Sequence, residues 1–220
     1  LIELLPHSSE RDELELSIRE PLTAAWIGLR GWAAPEVAAN ATAILDLAKG
    51  RGTPQSLLIG LWGMWSNTAT QGRVADTLQW AQRLLAEGSE AQDIDRQIVG
   101  HWAASASFFY LGQLLEAHEQ GKCTLALHDP QLGGRLMRLT GHDMRTGVGV
   151  YAAQWTWMLG YPDQAVKLSD EKDADARQLG HAFNLCFALT TGVYAFDYLC
   201  EREQLLQRAS EADRLARDQS

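Results

Sequence analysis

Apolar residues recur along this chain at three- and four-residue spacings, in blocks that each stop at a glycine, a proline or a short polar cluster. That period belongs to helices with one buried face. From Glu10 to Leu29 the apolar positions are Leu14, Leu16, Ile18, Leu22, Ala25, Ile27 and Leu29, with Ser8 or Ser9 placed to cap the first turn. Gly31 ends this block, Pro35 opens another that runs to about Leu47, and Lys49-Gly-Arg-Gly-Thr-Pro54 forms a turn cluster. Further blocks flank Gly72 and Gly112, and a last apolar block covers His181 to Leu199. β-Branched residues are sparse and never alternate for long, so the pattern predicts no sheet.

The stretch from Val148 to Leu168 gives the unit of the chain. An apolar helical run ends at Gly160, Pro162 suits the first turn of a new helix, and Ala165 is small enough to let that helix approach the first. The same sentence recurs as Phe109-Tyr-Leu-Gly112-Gln-Leu-Leu-Glu-Ala117 and, more faintly, as Thr68-Ala-Thr-Gln-Gly72-Arg-Val-Ala-Asp-Thr77. Turns at positions 31, 72, 112, 160 and 200 are spaced by 41, 40, 48 and 40 residues. A fixed period of this size marks stacked helix pairs, because one pair cannot bury its own apolar face. The prediction is an all-α, right-handed α-solenoid of about five antiparallel hairpins, at about 9–49, 54–87, 92–127, 145–178 and 180–217 within a single domain. The excess of eight residues falls on an insert at 128–147, read as a surface loop because of Asp129-Pro130, Gly133-Gly134 and Gly141. Within its residues 131–147, Arg135, Arg138 and Arg145 stand against Asp143 alone, a basic island that could hold an acidic partner segment or pair with the protein's own carboxylates.

A small residue, an aromatic, Leu-Gly and then Asp-Gln-Ala or Leu-Glu-Ala resembles the tetratricopeptide repeat, with a period about six residues longer than usual. More narrowly, Leu29-Arg-Gly-Trp-Ala-Ala-Pro-Glu-Val37, Gly60-Leu-Trp-Gly63 and Leu159-Gly-Tyr-Pro-Asp-Gln-Ala165 look like the long-repeat region of large bacterial adenylate or guanylate cyclases and ATPase-containing transcriptional regulators. This resemblance implies a non-catalytic interaction or regulatory solenoid within a signalling protein whose catalytic parts lie elsewhere. The chain, opening at Leu1 and stopping in a helical pattern, reads as part of such a protein. Leu205, Leu206 and Leu215 are then expected to be exposed where a further repeat would cover them, with self-association through that end.

The net charge of −9 repels phosphate backbones and anionic membrane surfaces, which argues against nucleic acid and membrane partners and leaves a protein or peptide. No apolar run approaches the ~20 residues of a membrane span, and the amino terminus lacks the form of a signal peptide. Three cysteines, an odd number, read as reduced thiols of a cytoplasmic protein.

Sites for chemistry are looked for without success. Gly147-Val-Gly-Val-Tyr-Ala152 has the letters of a dinucleotide-binding turn but follows no strand, and Gly121-Lys122-Cys123 lacks both the hydroxyl and the first glycine of a phosphate loop. His118 and Cys123 do not share a helical face, so neither metal nor other cofactor is expected. The repeat register instead directs Trp62, Ser66, Trp102, Phe109, Gln154, Trp157, Tyr194, Asp197 and Tyr198 to a concave groove, and assigns Trp65, Trp80 and Trp155 to packing. An open groove would bind a peptide, a closed pocket with converging polar groups would sense a small metabolite, and a spacer would need neither.

Overall fold

In the computed structural model, residue 6, residues 8–49 and residues 53–218 are described. The amino-terminal residues behind the leader reading, and residues 50–52 of the predicted turn cluster, lie outside them. The described residues form twelve helices and no strand: α1 (Ser9–Arg30), α2 (Pro35–Leu47), α3 (Pro54–Thr70), α4 (Val74–Glu90), α5 (Ile94–Tyr110), α6 (Leu114–Leu127), α7 (Pro130–Thr140), α8 (Met144–Met158), α9 (Pro162–Leu179), α10 (Ala182–Thr191), α11 (Tyr194–Tyr198) and α12 (Arg202–Asp218). Neighbours pack as α1 with α2, α3 with α4, α5 with α6, α8 with α9, and α10 and α11 with α12, and each pair leans on the next. The fold is an all-α solenoid.

The turns explain the period. At Gly72, Gly112, Gly160 and Cys200 the backbone adopts φ of 74°, 76°, 94° and 59°. At Gly112 the peptide N–H donates to Phe109 O at 3.0 Å and the N–H of Gln113 to Phe108 O at 2.9 Å, a left-handed cap that satisfies the last carbonyls of α5. Cys200 makes the same pair of bonds, to Asp197 O at 3.0 Å and, through Glu201 N–H, to Phe196 O at 2.9 Å, but with a Cβ in the left-handed region. Between helices the tightest contacts are at small residues. A Cβ on Gly63 would lie 2.8 Å from the Ala41 methyl, and one on Gly100 2.9 Å from Leu85 Cγ, so α3 and α5 approach their predecessors as closely as backbones allow.

The insert at 128–147 is not a loop: it carries α7, and α8 begins within it. The glycine pair does not break the helix because Gly133 is used for close packing, where a Cβ would sit 3.0 Å from His128 Nε2, and Leu136, 1% exposed, anchors α7 in the main core. α7 rests on α1, α3 and α8, the first helices of their pairs. The predicted last apolar helix is likewise split, since Gly192 follows α10 and α11 spans only Tyr194–Tyr198. Buried Arg208 ties α12 back to α9 through Asp173 and, at 2.7 Å, Asp170. Leu206 is 51% exposed, Leu205 and Leu215 are half-buried, and a cavity of about 520 Å³ lies between α10 and α12.

Left-handed backbone costs a residue with a Cβ about 1–2 kcal/mol. Cys200→Gly should therefore raise stability by up to about 1 kcal/mol, and Gly112→Ala should lower it by at least that amount, each read from the midpoint of urea unfolding. Equal effects of opposite expectation, or no effect at Gly112, would show that these turns do not hold the hairpins.

Candidate functional site

The first helices of the pairs turn an aromatic face inward. Trp62 and Trp65 of α3, Trp102 of α5 and Tyr151 of α8 form a continuous spine, with Trp62–Trp65 centroids 5.1 Å apart, Trp65–Trp102 4.8 Å and Trp102–Tyr151 6.4 Å. Two further aromatics arrive from far away in sequence. Trp32, in the turn between α1 and α2, stacks on Phe183 of α10 at 6.2 Å and 15°, so the first pair and the last meet at the inner face. Asn67 Nδ2 fixes that turn by donating to Trp32 O at 3.1 Å and Ala34 O at 3.0 Å.

Between these elements is a half-open cavity of about 330 Å³, lined by Trp32, Trp65, Ala69, Thr70, Trp102, Tyr110, Tyr151, Phe183 and Phe187. Seven of the nine are aromatic and none is charged, a lining suited to apolar or ring-shaped guests. At its edge the Tyr110 and Tyr151 hydroxyls hydrogen-bond at 2.8 Å. Burial pushes the Tyr151 phenol up, and Tyr110 beside it adds to the effect, so it stays protonated.

His142 lies behind the pocket, with no exposure, in the turn between α7 and α8. Its ring centroid is 5.8 Å from Trp32, 5.2 Å from Trp102, 6.2 Å from Phe183 and 4.8 Å from Phe187, four of the lining rings. Among the described residues neither ring nitrogen has a hydrogen-bond partner, nor does the indole N–H of Trp102. His142 Nε2 and Trp102 Nε1 converge on Gly147, where a Cβ would lie 2.3 Å from each. Burial lowers the His142 pKa to about 4, with His181 adding to the shift and Asp143 opposing it. The imidazole is neutral at physiological pH.

The residues assigned to a concave groove are divided by the structure. Trp62, Ser66, Trp102 and Gln154 are buried, because α7 and α10 cover the inner face that the repeat register leaves open. Trp62 Nε1 donates to Thr140 O at the end of α7 at 3.0 Å, and Gln154 Nε2 to Thr191 O at the end of α10 at 3.1 Å. Of the nine, only Trp102 lines the aromatic pocket. Half-buried Phe109 packs on Tyr151 at 5.5 Å. Trp157, Tyr194 and Tyr198 form a separate surface cluster, with Trp157–Tyr198 centroids at 4.7 Å and Asp197 exposed beside them.

Trp65, read as packing, does both: its Nε1 donates to Ser107 Oγ at 3.0 Å while its ring walls the pocket. Trp32, Tyr110, Tyr151, Phe183, Phe187 and His142 are not singled out as site residues by the sequence. No local signal joins Trp32 to Phe183, since their contact depends on the winding of the whole solenoid. Arg135 pairs with Asp95 at 2.5 Å and Arg145 with Asp175 at 3.3 Å, while Arg138 is exposed. Gly147 and Gly149 sit inside α8, so no phosphate-binding turn forms there. Among the described residues no group of three or more His, Cys, Asp or Glu side chains is arranged to hold a metal ion, and no helix is long and apolar enough to cross a membrane.

No family model matches the chain, and no curated protein matches it. In fold it is similar to a variant of a Podosopora anserina putative kinesin light chain with nearly identical TPR-like repeats, at a TM-score of 0.56 and 12% identity over 98% of this chain and 99% of that one. A second structure of that putative kinesin light chain matches with a TM-score of 0.54, again at 12% identity, 98% and 99%. Likeness at this identity shows a TPR-like fold and nothing of the partner.

The neutral imidazole makes stability depend on pH. Unfolded, a histidine protonates near pH 6.5, whereas His142 in the fold waits until about pH 4. Between those values only the unfolded chain takes up the proton, so stability present above pH 6.5 falls as the pH drops to about 4, by on the order of 3 kcal/mol from this group. His142→Phe should flatten that part of the profile relative to wild type in urea unfolding at stepped pH. Parallel profiles would place His142 in a wetter or better-bonded setting.

Proposed function

We propose that the chain is a non-catalytic recognition module whose aromatic pocket takes a neutral apolar or aromatic group projecting from a partner segment. The observation that carries this reading is the lining itself: seven aromatic rings, no charge, and a mouth flanked by Tyr110, 54% exposed, and by Thr70, also exposed, past which a peptide chain can leave. An apolar group that loses ~100 Å² of accessible surface on entry gains about 2.5 kcal/mol, enough for an anchor and too little for tight binding alone. The remaining affinity comes from contacts outside the pocket, for which the separate Trp157–Tyr194–Tyr198 cluster offers further aromatic surface.

A second reading, a sensor for a small ring-bearing metabolite, is favoured by one feature. The unpartnered nitrogens of His142 and Trp102 behind the pocket are polar groups that a peptide side chain such as phenylalanine would not use. In either reading the sequence resemblance at Leu29–Val37, Gly60–Gly63 and Leu159–Ala165 supports a place beside the catalytic parts of a bacterial cyclase or ATPase-type regulator, within the cytoplasm.

Thr70 is exposed at the end of α3 while lining the pocket, so Thr70→Trp should plug it without disturbing the core. A phenylalanine-containing tripeptide amide is expected to shift the tryptophan emission and raise the melting temperature of wild type, and to lose at least about tenfold in affinity with the plugged variant. If toluene binds and the peptide does not, the metabolite reading replaces the partner reading. If neither binds, or both bind the plugged variant equally, the pocket has no recognition role.

A further inference from the structure

A second cavity, of about 770 Å³, shares no lining residue with the aromatic pocket. It runs between α1, the amino-terminal ends of α3 and α5, and α7. Its charges are unequal: Glu13, Glu20, Asp93 and Asp95 line it, and among the described lining residues the one cation is Arg135. Asp93 is occupied, capping α5 through Oδ1 and meeting Arg96 Nε at 3.0 Å through Oδ2. Among the described residues Glu20 accepts from Ser56 Oγ at 2.6 Å and Gln55 Nε2 at 2.7 Å.

Asp95 is the unusual member. It is only 8% exposed, Arg135 reaches its Oδ2 at 2.5 Å, and its Oδ1, shielded from solvent, has no hydrogen-bond donor among the described residues. A buried carboxylate with one oxygen lacking a donor is costly, and a cation that enters as the exposed Arg135 side chain moves off would lower that cost. Burial raises the Asp95 pKa despite Arg135, which is the expected response of a carboxylate short of donors. Leu16, Leu58 and Leu139 supply an apolar wall beside the carboxylates. Alkyl stem against leucine and charged head against carboxylate is how a long basic side chain is accommodated.

We propose that this groove binds an extended basic segment of a partner protein, with an arginine or lysine side chain lying along Leu16, Leu58 and Leu139 and its charged head at Glu13 and Asp95. Arg135 occupies part of the site in the free protein and competes for Asp95. The volume exceeds that of one side chain, which fits a segment and not a single free cation. This inference stands apart from the aromatic pocket, and either can fail alone.

The competition gives the test a sign. A fluorescein-labelled octapeptide of alternating arginine and glycine is titrated by anisotropy against the intact chain at low and at physiological ionic strength. Asp95→Asn and Glu13→Gln should each weaken binding, by about tenfold for Asp95, while Arg135→Ala should tighten it about threefold or more. Glu203→Gln, at an exposed acid on α12, should change nothing; Glu13→Gln, at an exposed position, keeps the test valid if Asp95→Asn unfolds. The proposal is overturned if Arg135→Ala has no effect, if Glu203→Gln weakens binding as much as Glu13→Gln, or if spermidine binds as tightly as the peptide, since each would mean that the groove senses net charge and no segment.

Discussion

The stacking of Phe183 on Trp32 brings together residues of the first and last helix pairs, and the inner architecture of the chain depends on that closure. An array of helix pairs has only nearest-neighbour contacts to hold it, so its inner face is ordinarily open. Here the winding is tight enough for the ends to touch across that face, and His142 fills the centre of the contact with four aromatic rings around it. Substitution of any one of these rings would be felt in two distant pairs at once. The cost of the arrangement is visible in the polar atoms it strands: both nitrogens of His142 and the indole N–H of Trp102.

Closure changes what the solenoid can recognise. α7 lies against α1, α3 and α8, and α10 lies against α8, so the volume that an open groove would offer to a peptide is filled by the chain's own helices. What remains is divided into an uncharged aromatic pocket on one side and a carboxylate-lined groove on the other. The two differ in chemistry as much as in position. Trp62, buried by α7, and Trp102, which walls the pocket, occupy equivalent places on successive helices, yet the insert gives them different tasks.

The repeat was legible because its punctuation is local. A glycine in the left-handed region must end a helix wherever it occurs, and Gly72, Gly112 and Gly160 do so with the same pair of hydrogen bonds. Cys200 was readable only by its spacing. The insert was misread for a local reason also: Gly133 and Gly134 look like loop residues, but Gly133 serves close packing against His128, and Leu136 and Leu139 hold the segment helical on a surface that the sequence does not reveal. The pocket was not legible, because its members come from five separate segments and their meeting is a property of the superhelix. Trp102, directed by the register to a concave groove, lies buried in the wall of the pocket, since register says which way a side chain points and nothing about what covers it.

The closure of the inner face by α7 is tested most directly at the indole N–H of Trp62, which donates to Thr140 O and is shielded from water. Its hydrogen–deuterium exchange can be followed in nitrogen-15 correlated spectra, with the resonance assigned by its loss in Trp62→Phe. The account predicts that this proton exchanges no faster than the slow core amides of α3, and far more slowly than the indole N–H of half-buried Trp157. Exchange of Trp62 as fast as that of Trp157 would mean that α7 does not seal the groove, and would return the chain to an open solenoid.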